Sequence, residues 1–157
     1  MRADPAPGLP EWDLADFEEL AERARSFRRV GAAGLPGPET LLREVVAGLF
    51  GAHADAEGGR FALSPWVPPG WRSMVLRRLR CHRTLLDVEL RPRAEWAILR
   101  LELKFGPAIP LAVSLRNVGG GPIARVTVDE VALEGQRAIF TLQGQHELVF
   151  FFSGEPT

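Results

Sequence analysis

Two pairs of neighbouring carboxylates are the side chains of this sequence whose types suggest acid and base catalysis. Asp87 with Glu89, and Asp129 with Glu130, could supply the two carboxyl groups of a glycosidase. The first pair alternates along a predicted strand, as solvated polar residues do. The second pair lies in a predicted turn, where aspartate is favoured because it bonds its own backbone. We therefore favour structural roles for both pairs, and the sequence predicts no catalytic residue.

Cysteine and histidine are the other residue types with reactive or metal-binding side chains. Cys81 precedes His82, but neighbours on a strand point to opposite faces, so we expect a buried thiol and no nucleophile–base pair. His53, His82 and His146 lie far apart, and no pair has the spacing of metal ligands. A lone histidine such as His146 is expected to be structural. The sequence therefore predicts neither a metal nor a cofactor.

Three tryptophans are the candidates for ligand binding. The face of an indole ring stacks well on a sugar ring, so Trp66, Trp71 and Trp96 could form a platform for an oligosaccharide. The alternative is that Trp66 and Trp71 pack the proline-rich segment 65–71 against the rest of the domain. We favour this alternative and keep the three residues as candidate carbohydrate contacts.

A run of seven arginines forms a basic ribbon in the middle of the chain: Arg72, Arg77, Arg78, Arg80, Arg83, Arg91 and Arg93. Such a ribbon could bind nucleic acid. The net charge of the chain is only -1, and acidic residues occupy the adjacent predicted strands. Cross-strand ion pairs would then neutralise much of the positive charge. We therefore expect no nucleic-acid partner.

The first third of the chain is predicted to be helical. Residues 1–12 are rich in proline and are expected to form a flexible tail. Apolar residues then recur every three or four positions, which predicts an amphipathic helix over 13–29 with an acidic start and an arginine-rich end. A second, more apolar helix is predicted over 38–51, with Pro38 in its first turn and Gly51 as its C-terminal cap.

From residue 60 onward, short strands recur every ~8–12 residues, which is typical of a β-sandwich or barrel. The alternating segments span 60–64, 74–81, 85–90, 95–105, 111–116, 123–128, 131–133, 138–142 and 146–152. In 95–105 the alternation places Trp96 and Ile98 on the outward face. The last two segments are expected to pair across a turn at Gln143-Gly144-Gln145, and the run 149–152 is apolar on both faces, so its strand is expected to be central or covered. We predict an α+β fold in which two N-terminal helices pack on an antiparallel β-sandwich of about eight strands. Residues 13–157 would form a single domain, with a helical lead-in over 13–51 and the sandwich over 60–152.

The start of the chain and its apolar runs bear on localisation. The N-terminus has no charged segment followed by an apolar one, so a signal peptide is not expected. No apolar run approaches the ~20 residues that a membrane span needs. We expect a cytoplasmic protein with no membrane contact.

One long passage resembles a known enzyme family. Residues 45–71, VVAGLFGAHADAEGGRFALSPWVPPGW, are similar to the passage that joins the last barrel helix to a small β-sandwich in bacterial (α/α)6-barrel glycoside hydrolases, of the glycogen-debranching (amylo-α-1,6-glucosidase-like) type. The hairpin MVLRRLRCHRTLLDVEL (74–90) and the closing GQHELVF (144–150) are similar too. The resemblance covers roughly residues 38–152. Nearly all of the barrel, where the family's acid and base lie, is missing, so no catalytic role carries over.

The resemblance implies a non-catalytic accessory or interaction module, similar to the C-terminal domain of a glycan-processing enzyme. Its partner would be a catalytic glycoside hydrolase subunit or a second copy of the chain. The alternatives are a free-standing carbohydrate-binding protein that uses the tryptophans, and a small hydrolase whose site forms only in an oligomer. The segment 13–29 has no counterpart in the family; its apolar stripe would suit a cap over the surface that the barrel would have covered, or a dimer contact.

Overall fold

The computed structural model describes Glu22, Arg43 and residues 45–55, 59–66, 70–116 and 122–154. Within these residues ten strands form two sheets around one hydrophobic core, so the predicted β-sandwich-like body is confirmed with ten strands in place of about eight. The strands are β1 (His53–Asp55), β2 (Arg60–Leu63), β3 (Met74–Cys81), β4 (Thr84–Pro92), β5 (Trp96–Phe105), β6 (Ile109–Val113), β7 (Ile123–Val128), β8 (Val131–Leu133), β9 (Ala138–Leu142) and β10 (Gln145–Phe152).

The two sheets differ in size and in strand direction. One has four strands in the order β1-β2-β6-β9, and the other has six in the order β3-β4-β5-β10-β7-β8. The six-stranded sheet is antiparallel throughout, as predicted. The four-stranded sheet is mixed, because β2 pairs with β6 in parallel. The prediction of a wholly antiparallel sandwich is therefore wrong for this sheet.

Strict alternation along the central strands builds the core. On β4 the residues Leu86, Val88 and Leu90 are at most 1% exposed, while Asp87 and Glu89 between them face outward. The same period of two buries every second residue of β5 and β10, at Ala97, Leu99, Leu101, Leu148 and Phe150. Each fully buried leucine contributes about 1.5–3 kcal/mol relative to an exposed one. The apolar run 149–152 lies on a central strand, as its two-sided apolar pattern predicted.

Two tight turns carry the chain from one sheet to the other. The predicted pairing of β9 with β10 across Gln143-Gly144-Gln145 is wrong: β9 pairs with β6, whereas β10 lies between β5 and β7. The turn is therefore a corner between the sheets. Gly106 occupies the second corner, between β5 and β6, with a φ of +96°. A Cβ there would lie 2.3 Å from the carbonyl oxygen of Arg83, so only glycine fits.

The predicted helices over 13–29 and 38–51 fall almost entirely outside the described residues. Of the second one, the structure describes Arg43, which is helical, and a π-helical turn over Val45–Leu49. Gly51 follows it with a φ of +58°, and a Cβ at this position would lie 2.5 Å from the carbonyl oxygen of Ser64. This left-handed backbone is the conformation expected of a glycine that follows a helical turn, while the cap of a helix over 38–51 stays a prediction.

Candidate interaction surface

The outward face of the six-stranded sheet carries a cluster of apolar and arginine side chains, which we call the aromatic–arginine patch. It consists of Trp96 and Ile98 on β5, Val149 and Phe151 on β10, Arg125 on β7, and Arg93 in the loop before β5. Register places Phe151 opposite Trp96, Val149 opposite Ile98, and Arg125 beside Phe151. The four apolar side chains are half-buried, because each packs against its cross-strand neighbour.

An arginine guanidinium lies over each of the two aromatic rings of the patch. The guanidinium carbon of Arg93 lies 5.7 Å from the centroid of the Trp96 ring, and that of Arg125 lies 4.2 Å from the centroid of the Phe151 ring. Each cation–π contact contributes about 0.5–1 kcal/mol at an exposed site. Neither guanidinium forms an ion pair within the described residues. The patch therefore presents two positive charges held over apolar rings.

The sequence located only half of this patch. Its alternation placed Trp96 and Ile98 on the outward face of β5, and the structure confirms this. Sequence reasoning missed the neighbours, Phe151 and Arg125, because they lie on strands that are distant in the chain. The available signal was the apolar run 149–152, in which Val149 and Phe151 sit at the outward positions.

Next to the patch, the outward face is neutralised by ion pairs. Arg100 Nε on β5 donates to Glu147 Oε2 on β10 at 2.8 Å, and this bond raises the pKa of Arg100. Glu89 accepts from Arg91 at 2.6 Å, and Glu102 accepts from Lys104 at 3.0 Å. Exposed pairs of this kind contribute little to stability, because water and salt screen them. They make this part of the face an ordinary solvated surface, unlike the patch.

The basic ribbon is only partly neutralised. Arg77 on β3 donates to Asp87 on β4 at 3.1 Å, as the predicted cross-strand ion pairs require. Asp87 also accepts from the backbone N–H of Arg78 at 2.8 Å, which holds a bulge in the edge strand β3. In contrast, Arg72, Arg78, Arg80 and Arg83 form no ion pair within the part of the chain that the structure describes. The expected absence of a nucleic-acid partner stays a prediction.

The three tryptophans do not form one platform. Trp66 is 1% exposed and belongs to the core, so its ring has no face open to a ligand. It packs within the hydrophobic core, as the favoured alternative requires for Trp66, whereas the packing of the proline-rich segment lies outside the described residues in part and stays a prediction. Trp71 is 41% exposed, and Trp96 is half-buried. Trp96 lies on β5, whereas Trp71 precedes β3 and belongs to no strand. Their contact with sugar stays a prediction.

Asp129, from the second carboxylate pair, and His146 form a structural cluster. His146 Nδ1 donates to Asp129 Oδ2 at 2.6 Å, and His146 Nε2 accepts from the backbone N–H of Gln143 at 3.3 Å. Asp129 Oδ1 accepts from the backbone N–H of Glu147 at 2.9 Å. The Glu147 bond, with a smaller effect of His146, lowers the pKa of Asp129. Both imidazole nitrogens are engaged in these contacts, so the ring serves to join the β7–β8 turn to β10.

Cys81 is buried and does not pair with His82, as the sequence predicted. The Cys81 side chain is fully buried, and burial raises the pKa of its thiol to about 12. His82 points elsewhere and packs its ring edge-on against Phe61, with centroids 6.2 Å apart. At neutral pH the thiol is therefore protonated, and its neighbour in sequence does not deprotonate it. Among the described residues, no three histidine, cysteine or acidic side chains converge as a set of metal ligands.

No helix in the described part of the chain is both long and apolar enough to cross a membrane. Comparison of the chain with protein-family models, with curated proteins and with solved structures found no match.

Proposed function

We propose that this protein is a non-catalytic accessory module that docks on a protein partner through the aromatic–arginine patch. The observation that carries the proposal is the block of four half-buried apolar side chains on adjacent central strands, at Trp96, Ile98, Val149 and Phe151. Antiparallel sheets with one solvated face usually alternate apolar and polar residues. Here the outward positions at one end of β5 and β10 are apolar instead.

The composition of the patch is that of a protein interface. Tryptophan, phenylalanine and arginine are enriched at the centres of such interfaces, where they supply most of the binding energy. Arg93 and Arg125 lie over the rings without acidic partners among the described residues. A partner with an apolar ridge and acidic side chains would complement both features.

The resemblance to the C-terminal domain of (α/α)6-barrel glycoside hydrolases supports the choice of partner. It favours a catalytic glycoside hydrolase subunit, or a second copy of this chain, as the protein that covers the patch. In either case this domain would contribute a docking surface, and the partner would contribute the chemistry.

The test places a charge in the centre of the patch. Ile98→Lys is expected to weaken self-association at least tenfold in light scattering, or to weaken binding to a catalytic glycoside hydrolase subunit from the same source by a similar factor. The matched control is Ile139→Lys, because Ile139 is 51% exposed on β9 of the other sheet. The proposal fails if the two variants behave alike, with both retaining the association state and partner affinity of the wild type.

A second candidate function is carbohydrate binding. It is favoured by the exposure of Trp71 and by the partial exposure of Trp96. Millimolar maltooligosaccharide should then shift the tryptophan fluorescence, and the combined variant Trp71→Phe/Trp96→Phe should abolish the shift. An unchanged spectrum at millimolar sugar would remove this candidate.

A further inference from the structure

The six-stranded sheet ends in two edge strands of opposite charge. At one edge, β3 and the turn after it carry three exposed arginines, Arg78, Arg80 and Arg83. At the other edge, β8 is flanked by the exposed Glu130 and Glu134. None of these five side chains forms an ion pair within the described residues. Opposite charges on neighbouring strands attract and like charges repel, so each edge is complementary to the other and repels a copy of itself.

The open backbone groups of the two edges also match in position. The residues that flank the two-residue turns at 82–83 and 129–130 are paired with each other. Residues in that position exchange both of their hydrogen bonds, and the pattern then alternates along the strand. The N–H and C=O groups of Arg80 and of Ala132, each one position further from its turn, therefore point away from the sheet. Within the described residues no strand pairs with β3 or β8 on that side.

We propose that β8 of one copy of this chain pairs with β3 of a second copy, so that the six-stranded sheet continues from one molecule into the next. The strand directions permit this. All neighbours in the sheet are antiparallel and their number is even, so β8 of one copy runs antiparallel to β3 of another copy in the same orientation. The core faces of the two copies then lie on the same side of the joined sheet.

One register satisfies both the backbone and the faces of the two strands. It pairs Arg80 with Ala132 of the second copy, which brings the two sets of open backbone groups together. Val131 of the second copy then lies beside Cys81, on the core side of the sheet. Val131 is 65% exposed at the free edge, and the pairing would cover it.

The same register brings opposite charges together. Arg78 lies opposite Glu134 of the second copy, and Arg80 lies diagonal to both Glu130 and Glu134. Diagonal neighbours on adjacent strands remain within reach of long side chains. Arg83, in the turn after β3, meets the turn that precedes β8. Pairing β3 with another β3 would instead oppose arginines to arginines.

The length of the contact is set by a bulge. The register of β3 shifts between Leu76 and Leu79, so three residues of β3 follow the irregularity, and β8 is also three residues long. A contact of this size gives weak, reversible association. Because the two edges differ, the interface is head-to-tail and adds copies into a chain or a ring. The inference goes beyond the proposed function and does not rest on it, since it uses the edges of the sheet and leaves the aromatic–arginine patch free.

The experiment is analytical ultracentrifugation of the full chain at increasing concentration. Arg80→Glu/Arg83→Glu should lower the association constant at least tenfold, and Glu130→Arg/Glu134→Arg should do the same. An equimolar mixture of these two variants should regain the association, because each then meets the opposite charge on the free edge of the other. Ala132→Pro, added to both variants, should prevent this recovery, because proline removes the N–H that points to the second copy and is tolerated on an edge strand.

The matched control is Arg72→Glu/Lys104→Glu, which changes the net charge equally at exposed residues away from the strand segment that pairs. It should leave the association constant within twofold of the wild type. The proposal is overturned if the wild type stays monomeric at millimolar concentration, or if the mixture of the two charge-reversed variants does not associate. Ile98→Lys should retain the association; loss of self-association in that variant would assign it to the aromatic–arginine patch and would also overturn the edge pairing.

Discussion

Arg116 donates a hydrogen bond from its Nε to the carbonyl oxygen of Ser64 at 2.6 Å, across 52 residues of chain. Its Nη2 also donates to the carbonyl oxygens of Gly48 and Leu49 at the end of the helical turn. Burial lowers the pKa of Arg116 to about 10, so the group remains charged at neutral pH. A cation at the C-terminal end of a helical turn satisfies the last carbonyls. Arg116 therefore joins the four-stranded sheet to the segment that precedes it.

Removal of this guanidinium is expected to be costly. Arg116→Met should lower the free energy of unfolding by about 2–3 kcal/mol, because buried carbonyls lose their donors. The free energy of unfolding of Arg116→Lys should lie between those of the wild type and Arg116→Met, because an ammonium cannot make the same fork of contacts as a guanidinium. Urea unfolding measures both values. The control is Arg80→Met, at an exposed arginine, which should change stability by about 0.5 kcal/mol or less. Equal losses at the two sites would contradict the role of Arg116.

The turn between β7 and β8 contains backbone strain that a substitution can remove. Asp129 and Glu130 have φ values of +48° and +71°, which is the left-handed pair of a two-residue hairpin turn. Glu130→Gly removes the steric cost of the second position and should stabilise the fold by about 0.5–1 kcal/mol. Glu134→Gly serves as the control, because Glu134 is exposed and its φ is not positive. Thermal unfolding should show a gain for the first variant alone.

Stability should fall in alkaline solution because of Cys81. Burial raises the thiol pKa from 9.0 to about 12, so the unfolded chain loses this proton before the folded one does. The stabilisation is fully present below pH 9 and is lost as the pH rises toward 12. Between pH 7 and pH 10.5 the loss should be about 2 kcal/mol. Urea unfolding of Cys81→Ala should show a smaller dependence on pH over this range; an equal slope in both proteins would refute the assignment.

The Asp129 cluster should lose its contribution in acid. The Glu147 backbone N–H and His146 lower the pKa of Asp129, so its stabilisation is present above the unfolded value of about 3.9 and disappears as the pH falls through the folded value. Asp129→Asn should destabilise the protein by up to about 1 kcal/mol at pH 6, since the side chain is 49% exposed. The gap between the two proteins should shrink below pH 4. A stability difference between the two proteins that increased below pH 4 would contradict the lowered pKa of Asp129.

The sequence predicted local features well because their causes are local. The alternation at Leu86, Val88 and Leu90 depends only on which face of a strand is buried, and the structure confirms it. The β7–β8 turn was predicted from its own two residues. The strand β1 was missed, since three residues that pair at the edge of a sheet leave no alternation to detect.

Pairings between distant segments could not be predicted in this way. The turn at Gly144 looks like a hairpin in sequence, yet β9 and β10 join different sheets, because each strand pairs where its apolar face meets the common core. The same reason explains why the sequence indicated only the β5 residues of the patch: Phe151 becomes a neighbour of Trp96 through strand order alone.

The amino-acid sequence by itself determined where the strands of the sandwich run and which side chains they bury, because a period of two needs no partner. Only the tertiary structure decided that Arg116 meets Ser64 and that Trp96 meets Phe151. These contacts depend on how two sheets enclose one core, which is a property of the whole chain.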